Sequence, residues 1–480
     1  MSKRLTRSSE TIHASDVWPA LTLPVETTTL DDSEGVKQRG RNSNGRASNG
    51  WNVSSIHPAT VRFLVVACVV LVILIVASMF KRRAAYQAIP EAKRVIPAGS
   101  LLVVPSISTP PSKRPADLSA KVSEGPPRMY HLDPAHTNRS PYVGPTQPVV
   151  EQTVEIGSPA LGAVALMPNG NLIIGTLSGM VLGVTSSGKT IFKTHLRDRV
   201  YAAPLRIGQR IFIGSDGNQF VSLAGNGDIR WSLETGGDAD TAATPTPDHG
   251  LVFASEKTVY FVRQDGSVVW RVKGERKFFS SPAVAHDGTI YIGSQDNRFY
   301  AITRVGTVRF QIDLGQDVDC APAIDDNGMV YVGTDGGKVV AVDPELGQVA
   351  WTTQLGGHVR GGVTLTRSHD VVVGVYGPSP RVVTLRGDTG EQLWSFAVPG
   401  PGTKEYGVHG SPVEDAHGNL YFGAQDDAVY SLTSAGQLRW KFATGGDVDV
   451  PVALVAEGVL IALSDDGKLY RLAEQSKVTN

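Results

Sequence analysis

From about residue 150 to residue 472 the chain alternates short runs of β-branched, aromatic and other apolar residues with tight polar turns, and the alternation repeats. Residues 318–356, VDCAPAIDDNGMVYVGTDGGKVVAVDPELGQVAWTTQLG, contain one whole unit. A small-residue strand, A, leads through Asn327-Gly328 into strand B, MVYVGT; Asp335-Gly336 leads into strand C, KVVAVD; Leu346-Gly347 leads into strand D, QVAWTTQL. Such dipeptides tolerate the positive φ that a tight hairpin needs, so each unit is expected to be a four-stranded antiparallel meander.

The repeat length sets the architecture. Trp231, Trp270, Trp351, Trp394 and Trp440 follow one another at 39, 81, 43 and 46 residues, and Phe310 fills the slot midway through the double interval. Four-stranded units of about 40 residues arranged around an axis make a β-propeller. Strand A begins near residues 160, 200, 239, 278, 318, 359, 408 and 448, and the eighth unit ends before a fourth strand. The stretch PVVEQTVEIG (148–157) has no A, B or C strand ahead of it, and its TVEIG matches the TTQLG that closes the fifth unit. Pairing it into the last blade would close the ring and remove both exposed edges. The expectation is an all-β, eight-bladed propeller over residues 149–473, closed by an N-terminal strand, with a tail at 474–480.

The preceding sequence changes character twice. Residues 1–60 are rich in Ser, Thr, Asn and Gly without apolar periodicity, as expected of a disordered arm. Within 61–80, FLVVACVVLVILIVASMF (63–80) is uncharged and bounded by Arg62 and Lys81-Arg82-Arg83. As a helix it would cover about 27 Å, close to the hydrocarbon thickness of a bilayer, so one transmembrane helix is expected. Residues 81–148 are proline-rich, a semi-extended spacer. The basic residues that follow the apolar run favour a cytoplasmic C-terminal side by the positive-inside count, a preference that Lys37, Arg39 and Arg41 weaken.

In such a meander the D-to-A and B-to-C connections share one face of the disc. Alignment of the units puts Arg199 and Tyr201, Asp238 and Asp240, Lys277 and Phe279, Asp317 and Asp319, His358 and Arg360, His409, and Asp447 and Asp449 around the central mouth, with basic and acidic pairs alternating from the second unit to the sixth. Three readings stay open: inter-blade salt bridges with turn caps, a polar mouth that contacts a protein partner, and a Ca²⁺ site. The last is disfavoured because the acidic pairs fall on non-adjacent blades and one pair offers too few ligands. The B-to-C turns add Asp216, Asp296, Asp335, Asp426 and Asp465, expected to cap hairpins.

The segments AVDPELGQVAWTTQLGG (341–357) and TLRGDTGEQLWSFAVPG (384–400) resemble the tryptophan-docking repeat of pyrroloquinoline-quinone-type propellers, and YHLDPAHTNRSPYVGP (130–145) resembles the entry segment of that family. The resemblance implies either a periplasmic quinone-dependent dehydrogenase, with Ca²⁺, an Asp base and often a vicinal Cys-Cys pair, or a non-catalytic propeller of the outer-membrane-protein assembly branch. No Cys-Cys occurs and no long insertion interrupts the units, which favours the non-catalytic branch. The resemblance also implies an extracytoplasmic propeller, against the local charge count. Departures are Leu346, Arg386 and Phe310 at the Thr, Asp and Trp places of their units.

The net charge of −1 removes the electrostatic case for nucleic acid. Two cysteines, Cys68 in the apolar run and Cys320 in a strand A, cannot build a disulfide framework or a structural zinc site. The sequence therefore assigns no catalytic, cofactor or metal residue. It predicts a scaffold that meets protein partners in the bacterial envelope, anchored in the inner membrane with its propeller in the periplasm, and outer-membrane protein assembly as a candidate process. The alternatives are a quinone-dependent oxidoreductase and a ligand sensor coupled to the N-terminal arm.

Overall fold

The computed structural model describes residues 94–96, 129–400 and 406–475. Eight sheets follow one another along the chain, each a four-stranded antiparallel meander. Blade 5 is representative, with strands Ala323–Ile324, Val330–Gly333, Lys338–Asp343 and Gln348–Gln354 from the axis outward. Blades 1 to 4 run over 165–195, 205–234, 244–273 and 283–313, and blades 6 and 7 over 363–397 and 413–443. Blade 8 takes three strands from 453–474, and Pro148–Glu155 pairs antiparallel with Lys468–Glu474 as its outermost strand. The ring is closed as the repeat predicts.

Burial follows strand position. The two middle strands are buried on both sides because neighbouring blades cover both, as in Val330–Gly333 and Ile290–Gly293. The outermost strands, such as Thr190–His195, alternate half-buried and exposed positions. Every blade carries a register shift between its third and fourth strands, and the closing strand shares it between Val150 and Gln152. Such bulges steepen the local twist, as blades radiating from an axis require.

The five repeat tryptophans tie blades 2, 3, 5, 6 and 7 each to the next. Trp231, Trp270, Trp351 and Trp394 donate Nε1–H to the carbonyls of Gln264, Arg304, Gly387 and Ser434 in the C-to-D turn of the following blade, at 2.8–3.0 Å. Blade 8 has no such turn in the chain, and Pro145, just before the closing strand, supplies the carbonyl to Trp440 at 2.8 Å. The turn glycines beneath Trp270, Trp351 and Trp394, Gly306, Gly390 and Gly436, are doubly constrained: Gly390 has φ +72°, and a Cβ there would lie 2.5 Å from the Trp351 ring. Gly390→Ala is expected to cost about 2–3 kcal/mol, combining the left-handed penalty with displacement of the indole, and a lowered urea midpoint at unchanged m-value checks it.

Two findings extend the ring beyond residue 149. Residues 129–147, which the sequence places in the spacer, pack against the ring. Arg94–Ile96 adds a parallel strand outside blade 2, in register with Trp231–Leu233. The disordered arm and the transmembrane helix expected at 1–60 and 61–80 lie outside the described residues, among which no helix is long and apolar enough to cross a membrane.

Candidate functional site

The mouth predicted from connectivity exists as one rim. In every blade a residue of the B-to-C turn donates its backbone N–H to a carbonyl of the incoming D-to-A connection: Leu177 to Pro159, Asp216 to Arg199, Glu256 to Asp238, Gln295 to Lys277, Asp335 to Asp317, Tyr376 to His358, Gln425 to Gly407 and Asp465 to Asp447, at 2.9–3.1 Å. This eightfold bond places both sets of side chains on the same face and brings the B-to-C acids against the D-to-A acids.

The axis beneath the rim is filled. Tyr130 stacks on His131 with ring centroids 3.9 Å apart, and His136 meets His131 edge-on at 5.1 Å. Tyr130 packs on Ala163, Ala203 and Ala242 of blades 1 to 3, and its hydroxyl donates across the axis to the Gly361 carbonyl of blade 6. His131 Nε2 lies 2.7 Å from Ser411 Oγ, and His136 Nδ1 donates to the Pro322 carbonyl at 3.1 Å. Carbonyls of Pro134, Ala135, Thr137, Asn138 and Val143 then accept N–H groups from blades 4 to 8 in turn, Val284, Ile324, Leu365, Glu414 and Gly458. The innermost strands would otherwise present unpaired amides, so the segment satisfies the inner edge of the ring. Four non-glycine residues hold positive φ in it, His131, Leu132, His136 and Asn138, a strain that so many bonds sustain. Burial, with the neighbouring His136, holds His131 well below the usual imidazole range, and burial lowers His136 to about 4, so both imidazoles are uncharged at neutral pH.

Around this floor the acids and bases sort into corners. Lys277 Nζ lies 2.7 Å from Asp240, 3.8 Å from Asp238 and 3.6 Å from Glu256, and it sits over the Phe279 ring. Arg199 pairs with Asp216 at 3.0 Å and covers Tyr201. Carboxylate oxygens of Asp216, Asp238 and Asp240 all lie within 4.8 Å of one another, and burial together with Asp240 and Asp238 raises Asp216 well above the carboxylate range. At the next acidic corner the Arg360 Nε donates to Asp335 at 2.8 Å, and the same nitrogen is 3.8 Å from Asp319. Burial and Asp335 raise Asp319, and burial and Asp335 likewise raise Asp317. His358 donates from Nδ1 to the Asp335 carbonyl at 2.7 Å, and Tyr376 stands between His358 and His409. His409 Nδ1 is 3.3 Å from the Asp449 carbonyl. In blade 8, Asp447, Asp449 and Asp465 are raised to about 7, 6 and 7, burial being the first cause in each.

Of the five B-to-C acids expected to cap hairpins, Asp296 does so, accepting from Arg298 N and also from Tyr300 Oη. Asp426 instead holds the side chains of Tyr430 and, at 2.7 Å, Lys441. Asp216, Asp335 and Asp465 instead join the rim. The distinction is visible in the sequence as one residue of register: the inward acids directly follow the Ser or Thr that ends strand B (SD, TD, SD), whereas Asp296 and Asp426 stand one place later (SQD, AQD). Each acidic pair gains a third carboxylate from a neighbouring B-to-C turn, and among the described residues it is Asp216, Asp238 and Asp240 whose oxygens come within sharing distance of one ion. On the opposite face, Gln209, Arg210, Arg230, Trp231 and Gln264 line a cleft of about 500 Å³ between blades 2 and 3.

Eight four-stranded blades, a strand-closed ring and tryptophans docked at five of the eight blade seams define a tryptophan-docking β-propeller with a polar rim over a plugged axis. The chain belongs to the family of outer membrane protein assembly factor BamB, whose family model matches residues 151–258 and 255–474. Among solved structures, BamB from Moraxella catarrhalis is 19% identical over 68% of this chain and 99% of its own, with a TM-score of 0.56. A europium-containing methanol dehydrogenase is 10% identical over 73% of this chain and 98% of its own, with a TM-score of 0.63. The quinohemoprotein alcohol dehydrogenase of Comamonas testosteroni is 10% identical over 74% of this chain and 82% of its own, with a TM-score of 0.62. At these identities the likeness is one of fold. No curated protein matches the chain.

Proposed function

We propose that this protein is a non-catalytic scaffold of the bacterial cell envelope that docks a protein partner on the rim, with outer-membrane protein assembly as its process. In this reading residues 63–80 hold the chain in the inner membrane and the spacer presents the propeller in the periplasm. The observation that carries it is the plugged axis: half-buried Tyr130 with buried His131 and His136 turns the mouth into a shallow ring of charges with Tyr201 and Phe279 among them, a surface for a partner and not a well for a quinone. Phe279 is 40% exposed beside Lys277, and aromatic residues among charges are common anchors of protein interfaces. Membership of the assembly-factor family supports the same reading.

The quinone-dependent alternative rests on the likeness in fold to the dehydrogenases. The propeller is expected to give no saturable quinone binding and no dye reduction. For the docking reading, a photo-crosslinking residue at Phe279 or Tyr201 should capture a defined envelope protein in intact cells, whereas one at Leu346, 68% exposed in the C-to-D turn on the opposite face, should not. Equal capture at all three positions, or none, would remove the rim from consideration.

A further inference from the structure

We infer that the blade 8 corner formed by Asp447, Asp449 and Asp465 receives an arginine or lysine side chain presented by the protein partner, so that the rim is engaged chiefly across the seam between blades 8 and 1. The inference rests on the docking reading above and names the arc and the chemistry of the contact.

The argument is one of compensation around the ring. Among the described residues, five buried carboxylate oxygens lack a hydrogen-bond partner, Asp216 Oδ1, Asp240 Oδ1, Asp319 Oδ1, Asp426 Oδ1 and Asp449 Oδ1, and all five belong to this face. Four of these side chains have a cation of the protein beside them: Asp216 has Arg199 at 3.0 Å, Asp240 has Lys277 at 2.7 Å, Asp319 has Arg360 at 3.8 Å and Asp426 has Lys441 at 2.7 Å. Asp449 is 4% exposed and has no ion pair among the described residues, and neither do its companions Asp447 and Asp465. Leaving buried charge unpaired is costly, and three carboxylates without a cation are the form of site that a cationic group from outside completes.

The missing cation is traceable to the sequence of the next connection. Lys277 and Arg360 each come from the D-to-A connection that follows the acidic corner they neutralise. The connection that follows blade 8 is the start of the ring, and the equivalent places hold Pro159 and Leu161, with Leu177 in the facing turn. Leu161 packs onto a cluster that includes Val450, next to Asp449. An acidic corner therefore adjoins a half-buried apolar one, which suits the charged head and the aliphatic stem of a long basic side chain. A divalent ion fits less well: the described residues with carboxylate oxygens close enough together to share an ion are Asp216, Asp238 and Asp240, where Arg199 and Lys277 already supply positive charge. The other face of this corner is occupied by Asp466, which is engaged by Lys468 and Tyr470, and by Asp427 beside Asp447. His409 reaches the Asp449 carbonyl, and Gln425 bonds the Asp449 carboxylate without bringing charge to it.

The test uses the full chain in its membrane with a photo-crosslinking residue at Leu177. The unaltered protein should capture one envelope protein, and the crosslinked peptide should carry Arg or Lys within a few residues of the adduct. Asp447→Asn/Asp465→Asn should lower capture at least tenfold and Asp465→Lys should abolish it, while Glu345→Gln/Glu391→Gln, removing the same charge from the opposite face, should leave it unchanged. Thermal midpoints at pH 8 should be equal or higher in the Asn variants, separating lost docking from lost folding. Undiminished capture by Asp447→Asn/Asp465→Asn overturns this inference alone, as does an adduct peptide without a basic residue. Loss of capture by the unaltered chain in EDTA assigns the corner to a divalent ion and overturns it too. Absence of capture at Leu177, Tyr201 and Phe279 alike overturns the docking reading and this inference with it.

Discussion

A chain that begins at residue 157 is expected not to form a monomeric propeller, although it keeps every A, B and C strand. Removing Pro148–Glu155 strips the partner from Lys468–Glu474 along seven paired positions and withdraws Val154 and Ile156 from the core between blades 8 and 1. It also removes Pro145, the acceptor that docks Trp440, and the plug carbonyls that satisfy the inner strands of blades 4 to 7 and the Gly458 turn of blade 8. Each loss leaves polar backbone or apolar surface uncovered, and together they are worth more than about 5 kcal/mol, the lower end of the total stability of a typical domain. The freed edge is also a template for pairing with another chain. Far-UV circular dichroism, thermal scans and light scattering on three chains check this. The chain starting at 129 should melt as the full protein does. The chain starting at 147 should fold with a lower midpoint, because the ring closes without its plug. The chain starting at 157 should aggregate or melt without cooperativity, and a monomeric, cooperatively melting form of it would show that closure is not what holds the ring.

Fold and closure were legible because each rests on local chemistry repeated eight times. Asn-Gly and Asp-Gly at the turns, the period of the tryptophans, and the match of TVEIG to TTQLG specify strands, blade number and the closing strand before any contact is known. The same repetition located the rim, since connectivity alone assigns a face to every turn. The plug was not legible. Tyr130, His131 and His136 lie in a stretch without periodicity, and their place follows from an axis that exists only once eight blades have converged on small residues such as Ala163, Ala203 and Ala242. The pairing of Asp335 with Asp317 and Asp319 was hidden for a related reason: residues 16 and 18 positions apart meet through a backbone bond that crosses from one connection to the neighbouring turn. One residue of register would have separated Asp335 from Asp296, yet the weight of that offset becomes clear only when the inward direction is known.

Arg360→Ala is expected to have the largest effect of any single change on the rim, and the effect should grow with pH. Arg360 is the cation of the blade 5 corner: it donates to both oxygens of Asp335, lies 3.8 Å from Asp319, and stands over the Tyr376 ring. The side chains of Asp319 and Asp335 are 5% and 12% exposed, so removing the guanidinium leaves negative charge where water reaches it poorly. Breaking a fully buried pair costs about 3–5 kcal/mol; the 21% exposure of Arg360 brings the expected loss to about 2–3 kcal/mol at pH 8. The sign of the pH dependence follows from Asp319, whose carboxyl burial and Asp335 already raise above the unfolded value despite Arg360. A carboxyl raised in the folded state contributes stability below its unfolded pKa and loses it as pH rises through the folded value. Without the arginine that folded value climbs further, so the variant and the parent should converge near pH 4 and separate steadily toward pH 8. Arg360→Met/Asp319→Asn, which removes charge of both signs, should recover part of the loss at pH 8. Urea unfolding at pH 4, 6 and 8 measures all three chains, and a deficit independent of pH would mean that Arg360 acts through its packing on Tyr376 and not through its charge.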